Sequence, residues 1–264
     1  MEYVNTVLNC DCLGEVGMPL IPDKSIDMIL CDLPYGSTAC SWDTIIPFDK
    51  LWEQYNRIIK DNGAIVLTSI QPFTSALVMS NPKMFKYEWV WSKNMTSGFA
   101  LVKKQPLRNH ENVLVFYKNQ CTYNPIKEER DMSDKSKSRM KYKFTTESGI
   151  NEQQNGIKKI QYIPEDVDMS YPKTVKKFNG VNSHHRLHPT QKPVALFEYL
   201  IKTYTNEGDV VLDNCAGSGT TGIACLNTKR NYILMEKEEK YYDIINERIK
   251  QHTQITVNTT NNFF

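Results

Sequence analysis

Short apolar runs alternate with amphipathic segments along the first 120 residues. The pattern predicts strands at 25–31, 63–70, 87–91 and 113–117, and helices at 48–60 and 72–79. The runs SIDMILC and GAIVLTSI are almost uninterrupted, which is typical of strands that are buried on both faces. Strands that alternate with helices predict an α/β fold, with a mostly parallel twisted sheet and helices on both of its faces.

The same alternation returns in residues 186–250. A helix is predicted at 194–204, a strand at 209–213, a helix from 220, a strand at 231–236 and a charged helix at 238–250. The last strand–helix–strand portion reads as a βαβ unit, with a loop of small residues at 214–219. The polar segment 251–264 is predicted to be a flexible tail.

Residues 121–180 break this pattern. They hold only seven Ile, Leu or Val side chains, with twelve basic and nine acidic residues, a charge of +3. Lysines lie close to aromatic residues, and the candidates for contact with nucleic acid are Lys141, Lys143, Lys173, Lys176 and Lys177. Composition leaves two interpretations open, a flexible surface insertion or a module that faces nucleic acid.

The composition of the 264 residues excludes several classes of protein. The net charge is +2, so any binding of nucleic acid must come from a local patch. Seven cysteines without CxxC spacing, and the lack of a long apolar run or a secretion signal, argue against extracellular, membrane and zinc-ribbon proteins. We therefore expect a cytoplasmic protein, with no membrane contact. No metal is expected, because the histidines near position 188 have no cysteine at ligand spacing.

The loop after the strand at 209–213 has the composition of a nucleoside-binding site. Gly217 and Gly219 allow a tight turn and a close approach of ligand to backbone, and the helix that follows presents unpaired N–H groups. Glu236 ends the next strand, where a carboxylate can accept hydrogen bonds from two ribose hydroxyls. The GxGxxG spacing also occurs in dinucleotide sites, but Asp213 and the AGSGTT core argue against NAD.

A second candidate site follows the strand at 25–31 directly, in the turn Asp32-Leu33-Pro34-Tyr35. The Asp32 carboxylate and the Leu33 carbonyl can each accept one N–H of an aromatic amine, which turns the nitrogen lone pair outward. Asp32 would also stabilise positive charge that develops on that nitrogen, and Tyr35 offers a flat face for stacking. The alternative for Asp32 is a plain helix cap.

The Asp32–Tyr35 turn and the AGSGTT loop together resemble the DNA amino-methyltransferases that use S-adenosyl-L-methionine. The catalytic turn precedes the cofactor loop, which resembles the permuted β group of this family. Further similar stretches are NCDCL at 9–13, WSK at 91–93, NHE at 109–111 and HPTQKP at 188–193. Two departures are Leu33 for the family's first proline and Asn214-Cys215 for its frequent Pro-Phe, a change that removes an aromatic wall and is expected to weaken cofactor binding.

The resemblance implies a Rossmann-like methyltransferase fold, with seven strands of which one is reversed. Residues 1–120 and 186–250 would form the catalytic and cofactor-binding parts of one domain, and 121–185 an inserted target-recognition region. The implied catalytic residues are Asp32, Leu33, Pro34 and Tyr35. The implied cofactor-binding residues are Asp11, Cys12, Asp32, Lys192, Pro193, Asp213, Ala216, Gly217, Ser218, Gly219, Thr220, Thr221 and Glu236.

The implied reaction is site-specific methylation of double-stranded DNA on the exocyclic amine of a flipped adenine. Asp rather than Ser at position 32 favours adenine by resemblance alone. Two alternatives stay open, methylation of the cytosine amine with the same residues and a catalytically idle DNA-binding relative. The resemblance also leaves open a homodimer and a partner restriction nuclease.

Overall fold

The structure, a computed structural model, describes residues 3–37, 40, 42–129, 169–182, 184 and 186–261, with backbone alone from 255. The chain divides into two compact units. One consists of Met1–Asn124 and Thr174–Phe264, and the other of Pro125–Lys173. None of the described helices is both long and apolar enough to pass through a membrane.

The helices and strands follow in this order along the first unit: β1 (Thr6–Asn9), β2 (Ile26–Cys31), α1 (Phe48–Ile58), β3 (Ile59–Ser69), α2 (Phe73–Ser80), β4 (Phe85–Ser97) and β5 (Arg108–Phe116). In the second unit, β6 (Glu128–Glu129) pairs with β7 (Met169–Ser170). The first unit then continues with β8 (Val175–Lys177), α3 (Val194–Tyr204), β9 (Val210–Asp213), α4 (Thr220–Asn227), β10 (Asn231–Glu236) and α5 (Glu239–Asn261).

The described strands of the first unit form one sheet in the order β1-β10-β9-β2-β3-β5-β4-β8. Only β5 runs against the other described strands of this sheet, because it pairs antiparallel with both β3 and β4. The predicted α/β fold and its single reversed strand are confirmed. The sheet has eight strands rather than seven, since β8, from within the predicted insertion, pairs with β4.

The two faces of the sheet carry separate hydrophobic cores. Side chains alternate along β2, so that Ile29 and Cys31 pack with α1 and α2 on one face. Met28 and Leu30 pack with α3, α4 and α5 on the other face. The near-continuous apolar run of β2 is therefore explained by burial on both sides, as expected for an inner strand of a parallel sheet.

The order in which strands are added to the sheet changes sides between β2 and β9. From β2 the chain continues to β3 on one side, and from β9 it continues to β10 on the other side. β2 and β9 are neighbours, with Ile29 opposite Leu212. A crevice forms at the carboxyl ends of the strands at such a point, and it is where ligands bind in open α/β sheets.

Two elements are longer than the sequence pattern predicts. Helix α5 continues to Asn261, past the expected end near 250, because the segment contains no Gly or Pro that would end a helix. Strand β4 continues to Ser97, where its polar and exposed residues are held by pairing with β5. Periodicity could not predict this extension, because neither face of that part of the strand is buried.

Candidate active site

A cleft of about 980 Å³ lies at the carboxyl ends of the central parallel strands. Most of the predicted site residues line it: Asp11, Cys12, Asp32, Leu33, Pro34, Tyr35, Lys192, Asp213, Ala216, Gly217, Ser218, Thr220 and Glu236. Pro193 and Gly219 are the N-cap residues of α3 and α4, and Thr221 is buried in the first turn of α4. These three residues shape the elements behind the cleft. The structure thus brings the catalytic turn and the glycine loop to one cleft.

The Asp32 carboxylate is held by side chains from three separate parts of the chain. Its Oδ1 accepts hydrogen bonds from the Tyr35 hydroxyl at 2.6 Å and from the Thr68 hydroxyl at the end of β3. Its Oδ2 accepts one from the Lys192 ammonium at 2.5 Å. A carboxylate oxygen offers about two lone pairs. One acceptor position, on Oδ2, is therefore left without a donor from the described residues.

Lys192 joins Asp32 to a second partly buried carboxylate, that of Glu111. The Lys192 Nζ lies 3.5 Å from Glu111 Oε2, and Lys93 forms an ion pair with Oε1 of the same Glu111. Burial alone lowers the pKa of Lys192, but the charges of Asp32 and Glu111 outweigh it and raise the pKa above its usual value. The ammonium therefore stays charged between two carboxylates, and the four side chains form a row of alternating charge.

Tyr35 has a role that the sequence did not predict. Its hydroxyl donates to Asp32, and its ring lies 5.1 Å from the Phe73 ring between centroids. Burial, followed by the nearby charges of Asp32 and Glu111, raises the pKa of the Tyr35 hydroxyl, which keeps it protonated as a donor. Stacking of Tyr35 on a target base stays a prediction.

Leu33 and Asp43 explain how the turn holds its shape without the family's first proline. The Leu33 side chain is buried in the hydrophobic core beneath the turn. The Asp43 carboxylate accepts hydrogen bonds from the backbone N–H groups of Gly36 and Ser37, both at 2.9 Å. Gly36 has φ +65°, a conformation that favours glycine. Asp43 is thus a cap for the turn that follows Asp32.

The Asp213 carboxylate accepts hydrogen bonds from donors that follow it closely in sequence. One oxygen accepts from the Cys215 N–H at 3.1 Å, and the other accepts from the Thr221 hydroxyl in the first turn of α4. Burial raises the pKa of Asp213 to about 6, although both hydrogen bonds act to lower it. Asp213 therefore ties the end of β9 to the start of α4, and its predicted contact with a cofactor stays a prediction.

Glu236 holds the glycine turn from the neighbouring strand. Its two oxygens accept from the Gly217 N–H at 2.8 Å and from the Glu238 N–H at 2.9 Å. Burial raises its pKa. Gly217 and Gly219 have φ values of +55° and +77°, where a side chain would be strained. Because a carboxylate offers about four acceptor positions and three backbone N–H groups act on Glu236, at least one position is left for the predicted ribose contact.

Three rings that line the cleft contact one another. The His188 ring lies 4.9 Å from the Trp42 ring and 4.2 Å from the Tyr241 ring, between centroids. Burial lowers the pKa of His188 to about 4, so the imidazole is neutral at pH 7. Where the structure describes the chain, no group of His, Cys, Asp or Glu is arranged to hold a metal ion.

Asn214, one of the two departures from the family pattern, connects the loop to the core. Its buried side chain accepts from the Tyr55 hydroxyl at 2.6 Å and lies 3.5 Å from the Cys12 Sγ and 3.6 Å from the Cys215 Sγ. A proline at 214 offers neither contact. The Asn214-Cys215 pair thus replaces an aromatic wall with hydrogen bonds to buried polar groups.

The predicted DNA-binding lysines differ in whether the structure describes them and in how exposed they are. Lys141 and Lys143 lie outside the described residues. Lys173 and Lys177 are exposed. Lys176 is only 6% exposed and lies over the Trp89 and Tyr199 rings, because side chains alternate along β8. This placement removes Lys176 from the predicted phosphate contacts.

The chain was compared with known proteins. The family model described as DNA methylase, which covers N6 and N4 methyltransferases, matches residues 26–247. The chain is 25% identical to the Type II methyltransferase M.HinfI of Haemophilus influenzae, over 95% of this chain and 69% of the relative. It is 26% identical to the DNA adenine methyltransferase YhdJ of Escherichia coli, over 89% of this chain and 79% of the relative.

The chain belongs to the DNA methylase family. It is a DNA methyltransferase, and the family's methyl donor is S-adenosyl-L-methionine. The M1.HpyAVI–SAM complex has a similar fold, with a TM-score of 0.58 at 20% identity over 92% of this chain and 98% of that chain. The cytosine-N4-specific PvuII DNA methyltransferase also has a similar fold, with a TM-score of 0.63 at 16% identity. The match covers 95% of this chain and 90% of that chain.

The hydrogen-bonding groups in the cleft of this DNA methylase fit the nucleoside of S-adenosyl-L-methionine. Gly217 and Gly219 hold the turn before α4 with positive φ values, and the carboxylates of Asp11 and Glu236 line the cleft beside that turn. When bound, this cofactor supplies an electrophilic methyl group. The chain's residues would hold its nucleoside at Glu236 and its charged end near α4, where N–H groups of the first turn lack partners within the helix.

Sequence reasoning missed three parts of this site, Thr68, Glu111 and the His188 ring. Thr68 is one of two buried hydroxyl residues that follow the apolar run Ala64–Leu67 at the end of β3, a signal that a strand end faces a site. Glu111 and His188 each lie in a stretch that resembled the family, but their partners are distant in sequence. No local pattern predicts the contact of Glu111 with Lys192.

Proposed function

We propose that the chain transfers a methyl group to the exocyclic amine of adenine at a specific sequence in double-stranded DNA. The observation that carries this proposal is the open acceptor position on Asp32 Oδ2, across one cleft from the glycine loop. An N–H of the amine would donate to Oδ2, and the Leu33 carbonyl would accept the second N–H. As the nitrogen bonds to the methyl carbon, the bond from that carbon to the sulfonium sulfur would break, and Asp32 would stabilise the positive charge on the nitrogen until it loses one proton to solvent.

The target nucleotide must leave the duplex to reach Asp32. The Asp32 side chain is only 19% exposed, at the bottom of the cleft, and a paired amine in a duplex lies within the base stack. Rotation of the nucleotide out of the stack brings the amine to Oδ2, and the bases on either side stay in the duplex. The predicted region 121–185 would read the surrounding sequence, with Lys173 and Lys177 on phosphates.

Adenine is preferred over cytosine for two reasons. Position 32 is Asp rather than Ser, and YhdJ, which is named an adenine methyltransferase, is similar over 89% of this chain. Cytosine is the second candidate, because its amine presents the same two N–H donors to Asp32 and because the PvuII enzyme has a similar fold. The proposal includes a cytosolic reaction and, as in Type II systems, a partner restriction nuclease.

Product analysis tests the choice of base. Unmethylated plasmid DNA is incubated with the protein and S-adenosyl-L-methionine labelled in its methyl group, then digested to nucleosides for mass spectrometry. We expect labelled N6-methyladenine, and none in a control that lacks the protein. Labelled N4-methylcytosine as the sole product would contradict the proposal for adenine, and no labelled base would contradict both candidates. Sequencing of the same DNA gives the methylated site.

A further inference from the structure

The hairpin between β4 and β5 carries an exposed surface that no part of the catalytic site explains. Residues 94–106 are all exposed, and among them Phe99 is 64%, Val102 53% and Leu101 44% exposed. Large apolar side chains clustered at a hairpin end, without a partner among the described residues of the chain, mark a surface for interaction. We call residues 94–108 the β4–β5 arm.

The β4–β5 arm is positively charged. Lys103, Lys104 and Arg108 are exposed, and the sequence contains no Asp or Glu between Glu88 and Glu111. The arm therefore combines cationic and apolar side chains within a few residues. A polyanion with apolar faces between its charges complements such a surface, and duplex DNA is the substrate of this family.

The arm has a defined shape and lies at the cleft. Its tip is a short helical turn, Phe99–Leu101, in which the Leu101 N–H donates to the Gly98 carbonyl and the Lys104 N–H donates to the Leu101 carbonyl. At its base, Met95, Ser97 and Arg108 line the cleft that contains Asp32. A duplex that delivers a nucleotide to Asp32 would therefore pass beside the arm.

We propose that the β4–β5 arm binds duplex DNA next to the target base, with Phe99 packed against the gap that the rotated nucleotide leaves. Lys103, Lys104 and Arg108 hold the flanking phosphates. A base that leaves its stack exposes the faces of its neighbours, and an inserted apolar side chain covers them. This inference rests on the proposed base rotation and goes beyond it, because it assigns DNA contacts outside the predicted recognition region.

Binding measurements test the phosphate contacts. The K103A/K104A variant is titrated against a duplex that contains the methylated site, at several salt concentrations. We expect weaker binding, and a slope of log K against log salt that is shallower by about 1.8, or about 0.9 for each lost phosphate contact. Lys24→Ala is the matched control, since Lys24 is an exposed lysine before β2, away from the carboxyl edge of the sheet. An unchanged slope would refute the phosphate contacts.

Fluorescence of 2-aminopurine at the target position tests the role of Phe99. We expect Phe99→Ala to lower the fluorescence of the 2-aminopurine, because less of it is unstacked. We also expect KM for paired DNA to rise about ten-fold, which corresponds to the loss of one stacked contact. A duplex with an abasic site opposite the target, which needs less energy to open, should restore KM. Met79→Ala, at an apolar side chain that is 71% exposed on α2, is the control and should resemble wild type.

The outcomes separate this inference from the proposed function. Wild-type protein that methylates no base contradicts the proposed function. Normal methylation by wild type together with unchanged salt slope and fluorescence in the arm variants contradicts the inference alone. A change of the DNA-free protein from dimer to monomer in these variants, with DNA binding intact, would make the arm an interface between copies and would also refute the inference.

Discussion

Asp32 and Asp213 stand at the ends of neighbouring parallel strands, β2 and β9, and line the same cleft. Besides Tyr35, which is 3 residues away, the partners of Asp32 come from far along the chain, with Thr68 36 residues and Lys192 160 residues away. Two donors to Asp213, the Cys215 N–H and the Thr221 hydroxyl, lie 2 and 8 residues away, and the Cys31 thiol on β2 adds a further hydrogen bond. Asp32 is thus held mainly by the tertiary fold, and Asp213 mainly by residues close to it in sequence.

The two carboxylates also differ in their free acceptor positions and in the charges beside them. Asp32 keeps an acceptor position on Oδ2 that faces the cleft, beside a cation. Asp213 has no cation among its hydrogen-bond partners, and burial raises its pKa to about 6. A carboxylate that acts as an anion in a reaction needs a neighbouring cation to stay ionised where it is partly buried. A carboxylate that only shapes a loop needs no more than backbone and hydroxyl donors.

The largest expected effect is that of Asp32→Asn. The amide keeps the shape of the side chain but removes the negative charge that stabilises the amine in the transition state. We expect methyl transfer to fall about a thousand-fold, while affinity for DNA and for S-adenosyl-L-methionine changes little. Single-turnover rates and calorimetric titration measure the two quantities. Methylation at the wild-type rate would remove Asp32 from the reaction, and loss of cofactor affinity alone would make it a binding residue.

Lys192→Met separates two roles for the lysine, contact with the cofactor and orientation of Asp32. In the structure its Nζ lies on Asp32, so we expect kcat to fall about 10–100-fold with little change in KM for S-adenosyl-L-methionine. Lys192→Arg, which keeps the charge, should retain part of kcat.

A different result would favour the role that the family resemblance implies. A large increase in KM for the cofactor, with kcat unchanged, would place the Lys192 ammonium on the cofactor instead. Thermal unfolding of each variant is the control, because removal of one partner from a buried ion pair also lowers the stability of the fold.

The contrast between the two carboxylates also explains what sequence could predict. The glycine turn, Asp213 and Glu236 follow from a strand, a loop and a helix that are contiguous in the chain, so their pattern is visible locally. The turn at Asp32 was visible for the same reason, but Thr68, Glu111 and Lys192 meet only when the sheet forms. Strand order and pairing decide those contacts, and no local pattern contains them.

The same reasoning applies to the fold. Apolar runs and periodicity predicted β2, α1 and β9 because each element packs into a hydrophobic core. It did not predict the outer part of β4 or the β4–β5 arm, which are exposed and are held by backbone pairing and turn hydrogen bonds. The reversed strand was predicted from the family resemblance rather than from periodicity, because an apolar run looks the same whichever direction the strand runs.

Asp213→Asn gives the smallest expected effect on catalysis, less than about ten-fold, and its main effect is on stability. The pKa of Asp213 is raised to about 6 in the folded protein from its ordinary 3.8, so the folded state binds the proton more tightly than the unfolded state. This carboxyl therefore lowers the free energy of unfolding as pH rises from about 4 to about 6, by about 2 kcal/mol. The Asn variant has no such titration.

The measurement is the difference in unfolding free energy between wild type and Asp213→Asn, from urea titrations at pH values between 4 and 8. The difference is needed because His188, with its pKa lowered to about 4 by burial, adds stability as pH rises through the same window in both proteins. We expect wild type to lose about 2 kcal/mol relative to the variant between pH 4 and pH 7. If the unfolding free energies of the two proteins change in parallel with pH, Asp213 ionises as easily in the folded protein as in the unfolded chain. The contrast with Asp32 would then rest on hydrogen-bond partners alone.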